Sequence, residues 1–465
     1  MSSHLAAFAF TVAIVFLFWL NHERSVRTSG ALWIPWLWLM IAGSRNVSEW
    51  LQWGGSVNAA DRYLEGSPVD RNVLTAIMLL GVMVLVSRRE RVAAILRANT
   101  AIVLYFLYCG ISIFWSDYTL VAGKRWFRSL GDVIMVLVVL TESDWRDAIK
   151  RLLTRVGFLL LPISILLIKY FPSWGRSYGE DGTAYWTGVA GGKNSLGMIC
   201  MIFGLTALWC FVSVYRGPRD RFRVRRLLAH GAIAGMAVWL LLIVNSKTSL
   251  ACFVLTAGLM IATSVSRFAR RPGVLFTMVG IIVGGCFAVL FLGIGGDALQ
   301  AMGRNASLTG RTEIWKVVLK FAVNPLLGAG YESFWLGNRL DQIAEALNVT
   351  LLNQAHNGYI EEYLNLGWVG VVFLMTLIVT GYRKITSGFR GNVETSALRI
   401  AFLTLAIVYN FTEGVFKTMS PVWLSFLFAT MTVPEMRSVK ARATTQVTQD
   451  PEWSGTPPAP VHSSR

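Results

Sequence analysis

Charged residues are scarce in this chain: only 15% of its 465 residues are Asp, Glu, Lys or Arg, against about 25% in an ordinary soluble domain. That shortage excludes a single water-facing globule. Acidic residues are scarcer than basic ones, 26 against 43, which leaves a net charge of +17. Cysteine is rare as well. The five, Cys109, Cys200, Cys210, Cys252 and Cys286, all fall in apolar runs, and no CxxC pair occurs. Neither a disulfide framework nor a zinc site is implied, and each thiol reads as a small buried hydrophobe. No basic residue precedes the first apolar run, Leu5–Leu20, and no small-x-small cleavage site follows it. A retained membrane helix, ended by Asn21, His22, Glu23 and Arg24, is therefore expected in place of a signal peptide.

What the chain has in abundance is apolar sequence, at 54% of residues and a mean hydropathy of +0.52. Apolar runs recur near 4–20, 31–43, 73–86, 100–115, 129–140, 152–168, 195–215, 229–245, 248–265, 274–295, 366–381, 398–414 and 420–434. A crossing takes roughly 17–25 residues, and in lipid the backbone must pair within helices. The expected fold is an all-α polytopic membrane protein with 12 or 13 transmembrane helices and one large helical loop. Several runs are short and Pro35 interrupts the second, so both counts stay open.

In a soluble protein a charge of +17 would suggest nucleic acid. In a membrane protein basic residues gather in cytoplasmic loops, and no nucleic-acid partner is expected. The densest loop, 216–228, carries Arg216, Arg219, Arg221, Arg223, Arg225 and Arg226. Alternating sides from there puts 27 of the 43 Lys and Arg residues in cytoplasmic loops and the tail. The N-terminus is then outside and the C-terminus inside. Trp33, Trp36, Trp38, Trp50, Trp53, Trp115 and Trp126 cluster at run ends, as an interfacial belt does. The chain divides into N-terminal spans (1–168), central spans with an outside loop at 169–194 (169–295), a large outside loop (296–366) and C-terminal spans (367–435). A Thr-, Pro- and Ser-rich tail (436–465) reads as disordered and cytoplasmic.

A structureless connector of seventy residues would be unusual, so the large loop is where function is expected. Thr309 or Ser307 can cap a helix there, with Ile314, Val317, Val318 and Phe321 on one face and Lys316 and Lys320 on the other. Arg311 borders the apolar stripe at the helix N-terminus. That position suits a phosphate or pyrophosphate, held by free N–H groups and a bidentate guanidinium; an Arg bonding loop carbonyls is the plainer alternative. Asn324-Pro325 ends the helix, a Gly-rich turn follows, and 338–349 reads as a second short helix. Gln354 to Gly370 then leads into a span. If that stretch is helical, His356, Tyr359, Ile360, Tyr363, Gly367 and Gly370 share one face and Glu361 points away. The stripe reads as a groove wall open to water and lipid, although a lone His is more often structural. Lys247, in the turn Asn245-Ser246-Lys247-Thr248-Ser249, and Lys193 are cations on the same side, suited to an anionic head group or to snorkelling. Lys124, Arg125 and Arg128 form a third basic cluster.

These residues resemble the O-antigen ligase/polymerase family, integral-membrane glycosyltransferases that include O-antigen ligases and Wzy-type polysaccharide polymerases. The resemblance rests on His356-Asn357, nine residues, then Gly367-Trp368-Val369-Gly370, and on Gly310-Arg311 through Trp315. Pro325-Leu326-Leu327-Gly328-x-Gly330, Lys193-Asn194 and Ser246-Lys247-Thr248 add to it. The likeness is strong over 190–370 and only hydropathic in the N-terminal third. It implies a donor glycan on a polyprenyl pyrophosphate and an acceptor that is either lipid A-core or a growing polysaccharide. It also implies an active site on the periplasmic side of the bacterial inner membrane. His356 and Arg311 would be catalytic; Arg311, Lys247 and Lys193 would grip pyrophosphate; Tyr359, Tyr363 and Asn357 would form the acceptor groove. No metal and no cofactor is implied, and membrane lipids are the remaining partner. Ligase and polymerase stay unseparated.

Two other classes compete. A lipid-linked-glycan transporter or flippase would need ionisable groups at mid-depth, for which Asp132 is the best residue. A non-catalytic assembly partner would not depend on His356. The topology has a direct check. A single cysteine at Asn338, in a cysteine-free background, should react with an impermeant reagent in intact spheroplasts; reaction only after lysis would reverse the orientation.

Overall fold

The computed structural model describes residues 2–22, 28–52, 66–179, 182–265, 271–292, 308–349 and 352–434. The expected tail, Ser307 and Trp53 lie outside them. The protein is an all-α membrane protein, and a helix underlies each apolar run. The N-terminal spans form Ser3–Leu20, Trp33–Ala42, Pro68–Ser87, Thr100–Ile111, Thr119–Leu140 and Trp145–Tyr170. Lys193–Arg216, Arg223–Ile243, Lys247–Ser264 and Pro272–Phe291 follow, and Gly358–Gly388, Val393–Tyr409 and Pro421–Thr430 complete the set. Among the described residues eight helices are long and apolar enough to cross a membrane, or nine if Arg89–Ala98 and Thr100–Trp115, bent by 90°, make one span. The other expected spans are helical but shorter, or, like Thr119–Leu140, carry Lys124, Arg125, Arg128 and Asp132. Pro35 does not interrupt its helix: it lies in the first turn of Trp33–Ala42, where no intrahelical N–H bond is lost.

Hydrogen bonds sort the connections into two ends. At one end Arg45 donates to the Gly188 and Trp174 carbonyls, Arg339 to Asp117, Trp115 to the Leu327 carbonyl and Asn194 to Glu413. At the other, Ser29 and Arg88 meet Glu142, Asn99 bonds Thr432 and Lys384, and Arg225 reaches the Trp19 carbonyl. Burial alone would raise the Glu142 carboxyl; hydrogen bonds from Ser29 and the Arg88 guanidinium overcome it and hold Glu142 below the usual carboxylate range. Trp38 is not interfacial. It is fully buried and donates to Asp132 Oδ1 at 2.8 Å.

The 169–194 connection folds as an antiparallel hairpin, Arg176–Tyr178 against Ala184–Trp186. The large loop has a small core of its own, built on Trp315, Val318, Phe334, Trp335, Ile343 and Leu364. Its helices are Leu308–Lys320 and Asn338–Leu347. The first ends before Asn324-Pro325, because Asn324 caps a new turn, its Oδ1 accepting from Leu326 and Leu327 N–H. Thr309 lies within that helix.

The long Gly358–Gly388 helix is broken at Gly367, where φ is +64°. The break lets a second segment in. Ala329 and Gly330 N–H donate to the Leu364 and Asn365 carbonyls, and Trp368 and Val369 N–H donate to the Pro325 and Leu326 carbonyls. A Cβ on Gly367 would lie 2.2 Å from the Leu326 carbonyl carbon. Backbone at a positive φ with no room for a side chain is a place only glycine fills. Gly367→Ala should lower the stability of the detergent-purified protein by about 2 kcal/mol or more, read as a lowered thermal transition. Val372→Ala, on an exposed site of the same helix, should leave it near wild type. Equal transitions for the two would refute the close crossing.

Candidate active site

Three expected features converge on a residue that sequence reasoning missed. The carboxylate of Glu413, in the turn between Val393–Tyr409 and Pro421–Thr430, is only 7% exposed. Its Oε1 accepts from Arg311 Nη2 at 3.1 Å and from Asn194 Nδ2 at 3.0 Å. Its Oε2 lies 3.4 Å from His356 Nδ1. Arg311 and His356 are thus placed by one anion, each about a quarter exposed.

Each partner is fixed by its own local structure. Arg311 is in the first turns of Leu308–Lys320, whose Trp315 donates Nε1–H to the Ala355 carbonyl at 2.8 Å. Glu361 accepts from Ala355 N–H and, at 2.8 Å, from Trp335 Nε1. Ala355 is therefore clasped from both sides, and His356 follows it at φ +52°. The expected continuous stripe does not form: His356 lies before the helix, which begins at Gly358, and Gly367 breaks it. Nor does Glu361 face away from the site; it anchors the residue beside His356.

The Glu413 turn is equally constrained. Asn410 Oδ1 accepts from Val415 and Phe416 N–H, and the Asn410 carbonyl accepts from Gly358 N–H. Asp132, buried in the Thr119–Leu140 helix, accepts from Met419 N–H at 2.9 Å. With Trp38 on its other oxygen, Asp132 is a tether for this turn.

The remaining expected residues are placed as follows. Asn357 Oδ1 caps the Gly358 helix through Tyr359 and Ile360 N–H, and its Nδ2 reaches the Phe411 carbonyl at 3.3 Å. Tyr359 donates its hydroxyl to the Ile407 carbonyl at 2.9 Å. Tyr363 packs edge-on to Trp368. Lys193 holds its ammonium 4.2 Å from the Tyr185 ring centre, one residue before Asn194. Lys247 is exposed at the start of Lys247–Ser264, beside the Ser246–Ser249 hydroxyl pair and Tyr409. Among the described residues no group of three His, Cys, Asp or Glu side chains is positioned to hold a metal.

A cavity of about 650 Å³ adjoins the triad, with Gln354, Gly358 and Gly414 in its wall. Lys124, Arg125 and Arg128, the third basic cluster, also line it. So does Tyr331, whose phenol burial holds well above its ordinary value.

Residues 232–375 match the family described as O-antigen ligase. That range holds Lys247, Arg311 and His356 but neither Lys193 nor Glu413. The chain is also 27% identical over 290 residues to the exopolysaccharide production protein ExoQ of Rhizobium meliloti (strain 1021), which covers 60% of this chain. The matched part spans 63% of that relative's length. The family match falls on the segment that carries Arg311 and His356 and covers less than a third of the chain.

Glu413 is the joint of this arrangement. Glu413→Gln removes a charged acceptor from Arg311 and Asn194 and from beside His356, and hydrogen bonds to charged groups contribute about 1.5–3 kcal/mol each. Its thermal transition should fall below that of wild type, and that of the exposed-site variant Glu313→Gln should not. An unchanged Glu413→Gln transition would mean that the convergence carries no free energy.

Proposed function

We propose that the chain is a membrane glycosyltransferase that moves a glycan from a polyprenyl-pyrophosphate donor to an acceptor hydroxyl, with its reaction centre at Arg311, His356 and Glu413. The observation that carries this reading is the meeting of a guanidinium and an imidazole on the two oxygens of one buried carboxylate. The acceptor oxygen attacks the anomeric carbon, the bond from that carbon to the pyrophosphate oxygen breaks, and the leaving group takes the electron pair. Fixed cations stabilise the charge that develops there. Arg311 meets Glu413 through Nη2, and a guanidinium has five N–H donors in a planar fork, so bidentate capture of a phosphate is compatible with that contact. Lys247 and Lys193 would add positive charge at the same end.

His356 faces Glu413 through Nδ1. When Nδ1 carries the ring proton and donates it to Glu413, Nε2 keeps a lone pair and can take the acceptor's proton. Glu413 is then a positioning residue, setting tautomer and ring orientation while also aligning Arg311. The reading places this centre on the periplasmic side of a bacterial inner membrane, where lipid-linked glycans are consumed. The relative named for exopolysaccharide production favours a growing polysaccharide over lipid A-core as acceptor.

An in vitro transfer assay with purified protein and lipid-linked donor tests this. His356→Ala should lose about 10²–10⁴ in rate, the usual value of a general base. Arg311→Lys, which keeps the charge but not the fork, should also fail, whereas Lys320→Ala on the exposed face should be mild. If His356→Ala and Arg311→Lys both transfer at near wild-type rates, the reaction centre lies elsewhere or the chain is a non-catalytic partner.

A further inference from the structure

Among the described residues of the large loop, four of the five exposed large apolar side chains fall in one short stretch: Leu319, Val323, Leu326 and Leu327. Every residue from Val323 to Leu327 is exposed, and all but Asn324 are apolar. No charged residue lies between Lys320 and Glu332. A row of exposed apolar side chains on a folded loop marks an interaction surface. The backbone of the turn narrows down the partner. Leu326 and Leu327 N–H donate to Asn324 Oδ1, and Gly328 N–H donates to the Asn324 carbonyl. The Pro325 and Leu326 carbonyls accept from Trp368 and Val369 N–H, and the Leu327 carbonyl accepts from Trp115 Nε1 at 3.1 Å. Pro325 has no N–H to satisfy. From the Asn324 carbonyl to the Gly328 N–H, the main chain is therefore bonded entirely within the protein. A water-facing turn has no need of that, because water serves any free group; a turn in contact with lipid does.

The bilayer is already the neighbour at this point. Trp368, whose N–H bonds the turn, begins a strip of exposed apolar residues that continues through Val372, Met375 and Val379 on one face of the membrane helix Gly358–Gly388. Phe114, 84% exposed, precedes the Trp115 that bonds the turn from another element. The turn sits at the head of a lipid-facing strip. We propose that the 323–327 turn is a membrane anchor of the large loop: it lies in the interface of the leaflet on that side and puts Val323, Leu326 and Leu327 into the acyl-chain boundary. Trp115 and Trp368 flank it as interfacial tryptophans do, and Lys320 extends back to the head groups. The inference stands apart from the proposed reaction but has a consequence for it. Arg311 lies eight residues before Leu319 in the same helix, about 12 Å at the rise of an α-helix, so the anchor holds Arg311 close to the membrane.

The test uses the full-length chain, cysteine-free apart from one introduced cysteine, in phosphatidylcholine nanodiscs. That cysteine carries an environment-sensitive fluorophore. Leu326→Cys and Val323→Cys probe the turn, Val372→Cys the lipid face of the span, and Asn338→Cys an exposed position elsewhere on the loop. Each replaces an exposed side chain and leaves the backbone bonds of the turn in place. Two quenchers are compared: a lipid with a nitroxide high on its acyl chain, and iodide in water. Emission from positions 326 and 323 should lie to the blue of that from 338. It should be quenched by the nitroxide lipid as strongly as at 372, and be insensitive to iodide. Iodide quenching at 326 and 323 equal to that at 338 would place the turn in water and overturn the proposal. Protection from both quenchers would overturn it too, because a protein surface, such as a second copy of the chain, would then cover the turn.

Discussion

A buried carboxylate has to be satisfied, and in this protein Glu413 meets polar side chains from three distant parts of the chain. The sequence separations are 219 residues to Asn194, 102 to Arg311 and 57 to His356. No local pattern could hold these groups together; the anion does it, since leaving any partner or the carboxylate itself unpaired in a desolvated site costs several kcal/mol. The turn that presents Glu413 depends in its turn on the membrane scaffold. Asn410 folds it locally, and Asp132, seated deep in Thr119–Leu140 and bonded to Trp38, fixes Met419 at φ +58°. A tryptophan and an aspartate inside the bundle thereby set the position of a carboxylate at its end.

The loop that brings Arg311 and His356 is a folded unit with its own core, locked to the bundle by backbone pairing. The crossing of 325–330 with 364–369 uses both sides of the Gly367 break: freed carbonyls before it, freed N–H groups after it. Gly328, at φ +69°, faces the Asn365 carbonyl as closely as Gly367 faces Leu326. The two glycines are one device, since each removes the side chain that would hold the other strand of backbone away. The break that ends the membrane helix also supplies the groups that dock the loop.

Sequence made the spans legible because each is an apolar run with few rivals, and a helix is the only way to satisfy its backbone in lipid. Arg311 and His356 were legible from spacing within a loop too long to be a linker. Glu413 was not, because a lone acidic residue in a short turn between two spans carries no periodicity and lies beyond the motif-bearing segment. Glu361 was misread for a related reason. The helical wheel assumed continuity from Gln354, but His356 at a positive φ and a helix start at Gly358 rotate the register. A side chain assigned to the far face therefore holds Ala355 in place. The hairpin at 176–186 and the cavity were hidden as well, since both depend on which loops meet.

Charge distribution then separates the two halves of the site. Around the triad, Arg311 is compensated by Glu413, and two further cations, Lys193 and Lys247, open helices at the same end. Beyond Gln354 and Gly414 the cavity is balanced in charge, with five cationic and five carboxylate side chains among the described residues that line it. A group-transfer centre needs its leaving group in a field of positive charge and its nucleophile presented without strong electrostatic trapping. Glu361 ties the two ends of the arrangement together: its carboxylate accepts from Ala355 N–H beside His356, and a Cβ on Gly414, beside Glu413, would lie 3.2 Å from its Cγ.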